Sequence, residues 1–212
     1  MGLRSRLFAL IYDRFMAAGE KAGLAATRAE LLADANGAVL EIGAGTGLNL
    51  PHYPDSLDAL TLAEPDIAML SRLERTVARA PTRATVIRAP AEDLPYDDDT
   101  FDTVVSTLVL CGVDDQPRAV REIRRVLKPG GQLLFLEHVR ADDDRLARRQ
   151  DRINWFNQLT TGCDCNRPTM RTLEQGGFVL DHVRHGDLPK APSFVRPMIV
   201  GRATRPADAL TA

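Results

Sequence analysis

A doubly wound α/β sheet with helices on both faces is the fold predicted for this chain, and three observations predict it. From residue 38 onward, short apolar runs alternate with helical segments, the pattern of a mostly parallel sheet covered on both sides. The first of these runs, Val39 to Ile42, breaks into glycines at alternate positions: Gly43, Gly45 and Gly47. A second run, Ala59-Leu-Thr-Leu-Ala63, ends on an acid, Glu64.

The elements follow in order. The segment from Gly2 to about Ala33 reads as helix, because Leu3, Leu7, Leu10, Ile11 and Phe15 fall at helical spacing with charged residues mostly between them. Strands are expected near 38–42, 59–63, 84–88, 101–106 and 132–137, and helices near 47–52, 66–79, 116–127 and 145–160. Ile67, Leu70, Leu73 and Val77 give the second of these helices its core face. Pro129 stops a helix, and Gly130-Gly131 reverse the chain into the apolar strand that follows. Region 141–168 is charged and then irregular, and reads as an insertion able to cover a pocket. A short helix is expected from Thr169 to about Gln175, then a turn at Gly176-Gly177 into a strand near 178–184. Val195 to Ala203 reads as the final strand, and Pro197 within it implies an edge or a bulge. One domain is expected: an N-terminal helical segment (1–35), a core (36–140), a lid (141–168), the end of the sheet (169–203) and a frayed tail (204–212).

Bulk properties exclude several classes. With 212 residues, 44% hydrophobic and 26% charged, the chain suits one soluble globular domain. A net charge of −2 argues against a general nucleic-acid surface, and 5% aromatics against base-stacking platforms. No apolar stretch reaches 18 residues and no signal-peptide pattern is present, so no membrane span is expected. Three cysteines, an odd number, point to reduced thiols in a cytoplasmic protein.

The glycines and Glu64 carry the chemistry. Glycine lacks a Cβ and tolerates positive φ, so a strand can turn sharply there and let a ligand approach the backbone. A helix from about Leu48 would aim its free N–H groups at that ligand. A carboxylate at Glu64 can accept hydrogen bonds from the two ribose hydroxyls of an adenosine-type cofactor. Glycine spacing separates the two cofactors that fit. The dinucleotide pattern G-x-G-x-x-G would put its third glycine at position 48, which is Leu48. A nicotinamide-dependent oxidoreductase and an idle cofactor-binding scaffold are the alternatives from other classes.

The pattern E-x-G-x-G-x-G, led by Glu41, instead resembles motif I of the class I S-adenosylmethionine-dependent methyltransferases. Three further blocks resemble that superfamily in order: Ala89-Pro-Ala-Glu-Asp-Leu-Pro-Tyr96, Phe101-Asp-Thr-Val-Val105, and Val126-Leu-Lys-Pro-Gly-Gly131 leading into Gln132-Leu-Leu-Phe-Leu136. The resemblance implies a Rossmann-like, mostly parallel seven-stranded sheet with the last strand antiparallel, and S-adenosyl-L-methionine as cofactor. By the same resemblance Gly43, Gly45 and Gly47 admit the methionine and ribose, Glu64 and Pro65 flank the ribose, and Ala91 and Glu92 meet the adenine. Thr107 or its neighbour Leu108 would contact the methionine amine through backbone carbonyls. Many relatives have an aspartate where this chain has Pro90, so the bond to the adenine amine comes from Glu92 or is not made. Tyr12 either closes over the cofactor or packs on the core.

For the chemical step the candidates are Glu137 and His138 at the end of the fifth strand. An imidazole there can take a proton from a thiol or hydroxyl near neutral pH. The alternative is that Glu137 orients a loop and His138 caps the strand. Asp114 and Asp115 either line the acceptor side or cap the helix after Pro117. Cys163-Asp-Cys165 has the wrong spacing for structural zinc, and no metal site is expected there. Gly162–Arg167 reads instead as lid lining the acceptor pocket. Ser106-Thr-Leu-Val-Leu-Cys-Gly-Val113, Phe135-Leu-Glu-His-Val139, Gly162-Cys-Asp-Cys-Asn-Arg167 and Val195-Arg-Pro-Met198 are similar to the mammalian methyltransferase-like alkyl thiol methyltransferases and their bacterial relatives. That branch implies S-methylation of a small, fairly apolar thiol. Phospholipid N-methyltransferases and quinone-type C-methyltransferases share the core motifs, so a lipid-like acceptor stays open. The mammalian members carry a hydrophobic N-terminal anchor, whereas this N-terminal segment reads as amphipathic helix, consistent with at most weak peripheral membrane contact.

Overall fold

The computed structural model describes residues 14 and 16–207. Seven strands make one sheet: β1 (Ala38–Ile42), β2 (Ala59–Ala63), β3 (Thr85–Ile87), β4 (Phe101–Thr107), β5 (Leu127–His138), β6 (Val179–Asp187) and β7 (Pro197–Thr204). Their order is β3-β2-β1-β4-β5-β7-β6. The first five run parallel, while β7 runs antiparallel to both β5 and β6. Among the described residues, α-helices pack around them: α1 (Ala25–Leu32), α2 (Ile67–Val77), α3 (Gln116–Val126), α4 (Asp144–Thr161) and α5 (Thr169–Gln175).

The central strands read as unbroken apolar runs because both of their faces are buried. Leu133 and Phe135 of β5 join one core with Leu40, Ile42, Val104 and Ile123, while Leu134 and Leu136 join the other with Val39, Leu62 and Val105. Successive side chains alternate between faces, so the two cores share each strand. Aspartate side chains start three of the helices: Asp66 accepts from Ala68 and Met69 N–H at 2.8 and 3.0 Å, Asp115 from Arg118 at 2.9 Å, and Asp143 from Leu146 at 2.8 Å. Gly162 ends α4 in the left-handed conformation, φ 77°, its N–H donating to the Gln158 carbonyl at 3.0 Å.

Three expectations change. The helix expected over 47–52 is a turn followed by one short 3₁₀ segment, Leu50–His52. Pro54 biases the preceding residue toward extended backbone, and Tyr53 sits at φ −72°, ψ 140°, which halts any helix there. Pro197 lies in neither an edge strand nor a bulge. It is the first residue of β7, flanked by β5 and β6, where its missing N–H costs no interior ladder bond. The bulge belongs to β6, between Asp181 and Arg184, with His182 at φ 51°. In the N-terminal segment the helix passes through a π turn, Glu20–Leu24, around Gly23 at φ 126°; Leu3, Leu7, Leu10, Ile11, Tyr12 and Phe15 lie outside the described residues.

The order reverses between β1 and β4, since β2 and β3 extend one way and β5 the other. Ligands of open α/β sheets bind beyond the carboxyl ends of the strands at such a reversal.

Candidate active site

The glycine turn leaves β1 at that reversal. Gly43, Gly45 and Gly47 have φ of 56°, 58° and 90°, and the turn is tied by Ala44 N–H to the Ala63 carbonyl (3.0 Å) and Gly47 N–H to the Ala44 carbonyl (2.9 Å). At Gly43 a side chain is doubly excluded, because a Cβ would also lie 2.6 Å from Cγ2 of Val109. Across the turn stands Glu64, buried to 6% exposure, whose Oε2 accepts the Gly45 N–H at 2.9 Å and Oε1 the Asp66 N–H at 2.8 Å. Burial raises its pKa, and those two N–H bonds pull it back down.

Beneath the turn lies a polar network that sequence reasoning missed. Strand alternation puts Glu41 on the face under α1, where it is 2% exposed. Asn49 Nδ2 donates to its Oε1 at 2.9 Å and the Tyr53 hydroxyl to its Oε2 at 2.8 Å. Burial pushes the Glu41 carboxyl up to about 7, the two hydrogen bonds opposing. Arg28 from α1, 2% exposed, donates to Asn49 Oδ1 (2.9 Å), Thr107 Oγ1 (3.0 Å) and Glu20 Oε1 (3.1 Å). Thr107 Oγ1 also accepts from Asn49 Nδ2 at 2.9 Å. A hollow opens here, lined by Arg28, Glu41, Gly43, Gly45, Asn49 and Thr107 among others. A second, larger hollow, lined by Asn36, Asp102, Lys128 and Gly130, lies at the opposite, amino ends of the strands.

Of the residues expected to meet the adenine, Ala91 is buried. Glu92 is engaged with protein: its Oε1 accepts the N–H groups of Asp114 (2.8 Å) and Asp115 (3.2 Å). Asp115 caps α3, as the second of its two expected roles had it. Pro65 is exposed, and its carbonyl accepts Arg88 Nε at 3.2 Å.

The far wall is the turn after β4. Leu108 takes φ 60°, strained for a leucine, with its N–H on the Leu136 carbonyl at 2.7 Å. Glu137, with no exposed surface, organises this turn: its Oε1 accepts Ser106 Oγ (2.7 Å), Val109 N–H and Leu110 N–H (both 3.1 Å). Burial raises its pKa, and Oε2 has no hydrogen-bond partner among the described residues. Through these contacts Glu137 holds the turn after β4 in place.

His138 is 4% exposed at the end of β5. One of its ring nitrogens, the Cys111 sulfur and the Cys163 sulfur lie within 4.8 Å of one another. The turn after α4 brings Cys163 there. Arg167 stitches that turn to the β4 turn, donating from Nη1 to the Leu110 carbonyl (3.1 Å) and from Nη2 to those of Val113 and Asp164 Oδ2 (both 2.6 Å). Asp164 N–H adds a bond to the Cys111 carbonyl at 2.8 Å. The Cys163 thiol is held well below its ordinary pKa by a hydrogen bond with Cys111, with His138 adding to it against burial. Cys111 is correspondingly pushed up, by that bond and by burial. Cys165 stands apart, buried against Asn154 with its sulfur 3.5 Å from Oδ1.

Known proteins share this architecture. Residues 40–135 match a family model described as a methyltransferase domain. The chain is 32% identical to thiol S-methyltransferase TMT1A of Homo sapiens over 179 residues, spanning 79% of this chain and 70% of that protein. It is 30% identical to a phosphatidylethanolamine N-methyltransferase of Cereibacter sphaeroides over 148 residues, 66% of this chain and 72% of that one. A solved S-adenosylmethionine-dependent methyltransferase of Thermotoga maritima, described as a possible histamine N-methyltransferase, shares the fold with TM-score 0.72 at 24% identity, over 97% of this chain and all of that one. The residues present fit a nucleoside cofactor: Gly43 and Gly45 line the hollow beyond the carboxyl ends of the strands, and the Glu64 carboxylate stands across the turn. Identity at this level, spread along most of both sequences, reflects common descent, and the chain belongs to the S-adenosylmethionine-dependent methyltransferases, with S-adenosylmethionine as its cofactor.

Proposed function

We propose that this enzyme methylates the sulfur of a small, fairly apolar thiol. The observation that carries the reading is the position of His138, beside Cys111 and Cys163 on the same rim of the sheet as the glycine turn and Glu64. A thiol must meet the methyl group as a thiolate, and this cluster is the group of side chains placed to favour that form. The similarity to TMT1A, named a thiol S-methyltransferase, supports the same acceptor.

S-adenosylmethionine, when bound, supplies a methyl group already activated on a sulfonium. The chain's residues bind and orient. Gly43, Gly45 and Gly47 would border the methionine and ribose, Glu64 would accept the ribose hydroxyls with Pro65 beside it, and Ala91 and Glu92 would flank the adenine. Thr107 and Leu108 would offer backbone carbonyls to the methionine amine, with Glu41 bracing the turn from below. Orientation of two reactants can supply on the order of 7–11 kcal/mol of barrier lowering. Glu137 contributes by fixing the turn on which the acceptor would lean.

One observation favours a second reading, a lipid-like amine acceptor. Trp155, Phe156 and Leu159 of α4 are 66%, 50% and 52% exposed, an apolar surface next to the turn that carries Cys163. Among the described residues no helix is long and apolar enough to cross a membrane, so such an acceptor would be met at a surface.

A labelled-methyl screen over alkyl thiols, amines, phospholipids and quinones tests the proposal. Label on thiols is expected. Label on phosphatidylethanolamine or a quinone, with thiols blank, overturns it.

A further inference from the structure

We propose that Cys111, His138 and Cys163 form a three-ligand site for a thiophilic divalent cation of the zinc class, its fourth position open to the acceptor's sulfur. Only the identity of the fourth ligand rests on the thiol reading above.

The geometry is nearly that of a coordination sphere. Zinc binds thiolate sulfur at about 2.3 Å and imidazole nitrogen at about 2.0–2.1 Å, so ligands at tetrahedral corners stand about 3.5–3.8 Å apart. The three candidate atoms already lie within 4.8 Å of one another, a gap that small side-chain rotations close. They come from three separate elements: the turn after β4, the last residue of β5 and the turn after α4. The two turns are locked together by Arg167 and by the Asp164 N–H, and Glu137 ties the turn after β4 to β5, so the fold holds the ligands in place before any ion arrives. That preorganisation is what metal affinity needs.

The chemistry of the donors points the same way. Two thiols and an imidazole are the set preferred by zinc over magnesium or calcium, which seek oxygen. His138 Nδ1 is buried and without a hydrogen-bond partner among the described residues, an uncommon state for a packed core histidine. The third cysteine, Cys165, is engaged with Asn154 and takes no part. Three protein ligands leave a tetrahedral ion one position short, which is the composition of a catalytic rather than a structural site. Cys163 is only partly buried, so the cluster has a side from which an acceptor can enter.

With a cation in place, the acceptor thiol binds through sulfur and its proton passes to solvent. The sulfur's electron pair then forms the new S–CH₃ bond as the sulfonium S–CH₃ bond breaks. The broken bond's pair stays with the cofactor's sulfur, giving S-adenosylhomocysteine and a methyl thioether. No oxidant or reductant is required.

Cobalt(II), a spectroscopic substitute for zinc, tests the site on the full, reduced chain. One equivalent should produce thiolate-to-cobalt charge-transfer absorption and tetrahedral ligand-field bands. In Cys163→Ser the affinity should fall by more than about 100-fold, since even outer-shell partners of a metal are worth about 10–100-fold. Cys163 is partly exposed, so this variant should keep the fold, checked by circular dichroism and S-adenosylhomocysteine binding. Cys165→Ser should titrate like the parent. An alkyl thiol added to the cobalt form should shift the bands. Absence of cobalt–thiolate absorption in the reduced parent, or its persistence at full strength in Cys163→Ser, overturns the site. Bands indifferent to added thiol overturn the open fourth position. The titration needs no turnover, so a failed methyl-transfer screen leaves its answer intact.

Discussion

Glu64 Oε2 accepts the N–H of Gly45 at 2.9 Å, and through that bond the acid at the end of β2 holds the turn at the end of β1 in shape. Its other oxygen is fixed by the Asp66 N–H, so the carboxylate is oriented from both sides before a ligand arrives. A group held this way loses little freedom on binding, and its charge-assisted bonds count nearly in full.

Glu64→Ala should therefore weaken cofactor binding by roughly 1–3 kcal/mol, the worth of hydrogen bonds to a charged group. Titration calorimetry with S-adenosylhomocysteine measures it. Affinity equal to the parent's would remove Glu64 from the ribose site.

Gly43→Ala should also damage the site, by two separable effects. The left-handed backbone costs about 1–2 kcal/mol for a residue with a Cβ, and the new methyl collides with Val109. Val109→Ala in the same chain should restore part of the lost cofactor affinity by removing the collision, while the backbone cost remains. A double variant no better than Gly43→Ala contradicts the contact.

His138→Ala should lower turnover while leaving S-adenosylhomocysteine affinity near the parent's value. Its imidazole is grouped with Cys111 and Cys163, where the acceptor is proposed to sit. Steady-state kinetics beside calorimetry separates the two. Parent rates in the variant would make His138 a packing residue.

Stability should fall as pH rises from about 4.5 to 7, and Glu41 is a main cause. Its carboxyl titrates near 7 in the fold against 4.5 when exposed. Below 4.5 both states carry the proton and the group contributes nothing. Above that the unfolded chain releases it first, so the folded state is penalised by an amount that grows to about 3 kcal/mol near pH 7. Glu64 and Glu137, also raised by burial, add slope of the same sign. Urea midpoints measured across this range should decline for the parent and decline less for Glu41→Gln, which keeps an acceptor without the charge. Parallel curves would contradict the assignment.

The parts legible in the sequence are those governed by local rules. Residues 38–42, 59–63 and 169–175 appear with the expected bounds, because buried strands must be apolar on both faces and short helices start and stop on recognisable residues. The glycine turn and Glu64 come together as expected, since strand ends and turn chemistry fix them. What stayed hidden is tertiary. Arg28 looks like one more charge on a helix until Glu20, Asn49 and Thr107 surround it. Cys163 was weighed with its neighbour Cys165, yet the fold pairs it with Cys111 and His138 from distant strands. Glu92, expected to meet the adenine, also holds the start of α3 through Oε1, a contact no local pattern announces. The helix after Leu48 failed for a local reason that was visible, Pro54 acting on Tyr53.

The strand order carries a consequence for how such an enzyme can change its diet. The residues proposed to grasp the nucleoside, Gly43 to Gly47, Glu64, Ala91 and Glu92, follow β1, β2 and β3, whereas His138, Cys111 and Cys163 hang from β4, β5 and the excursion behind them, braced at the rim where His138 pairs with Met198. With the proposed roles, the methyl group would cross a border between two half-sheets. Substitutions around that cluster can retune what is accepted while the glycines and Glu64 keep their place, so one donor site can serve descendants with different tastes.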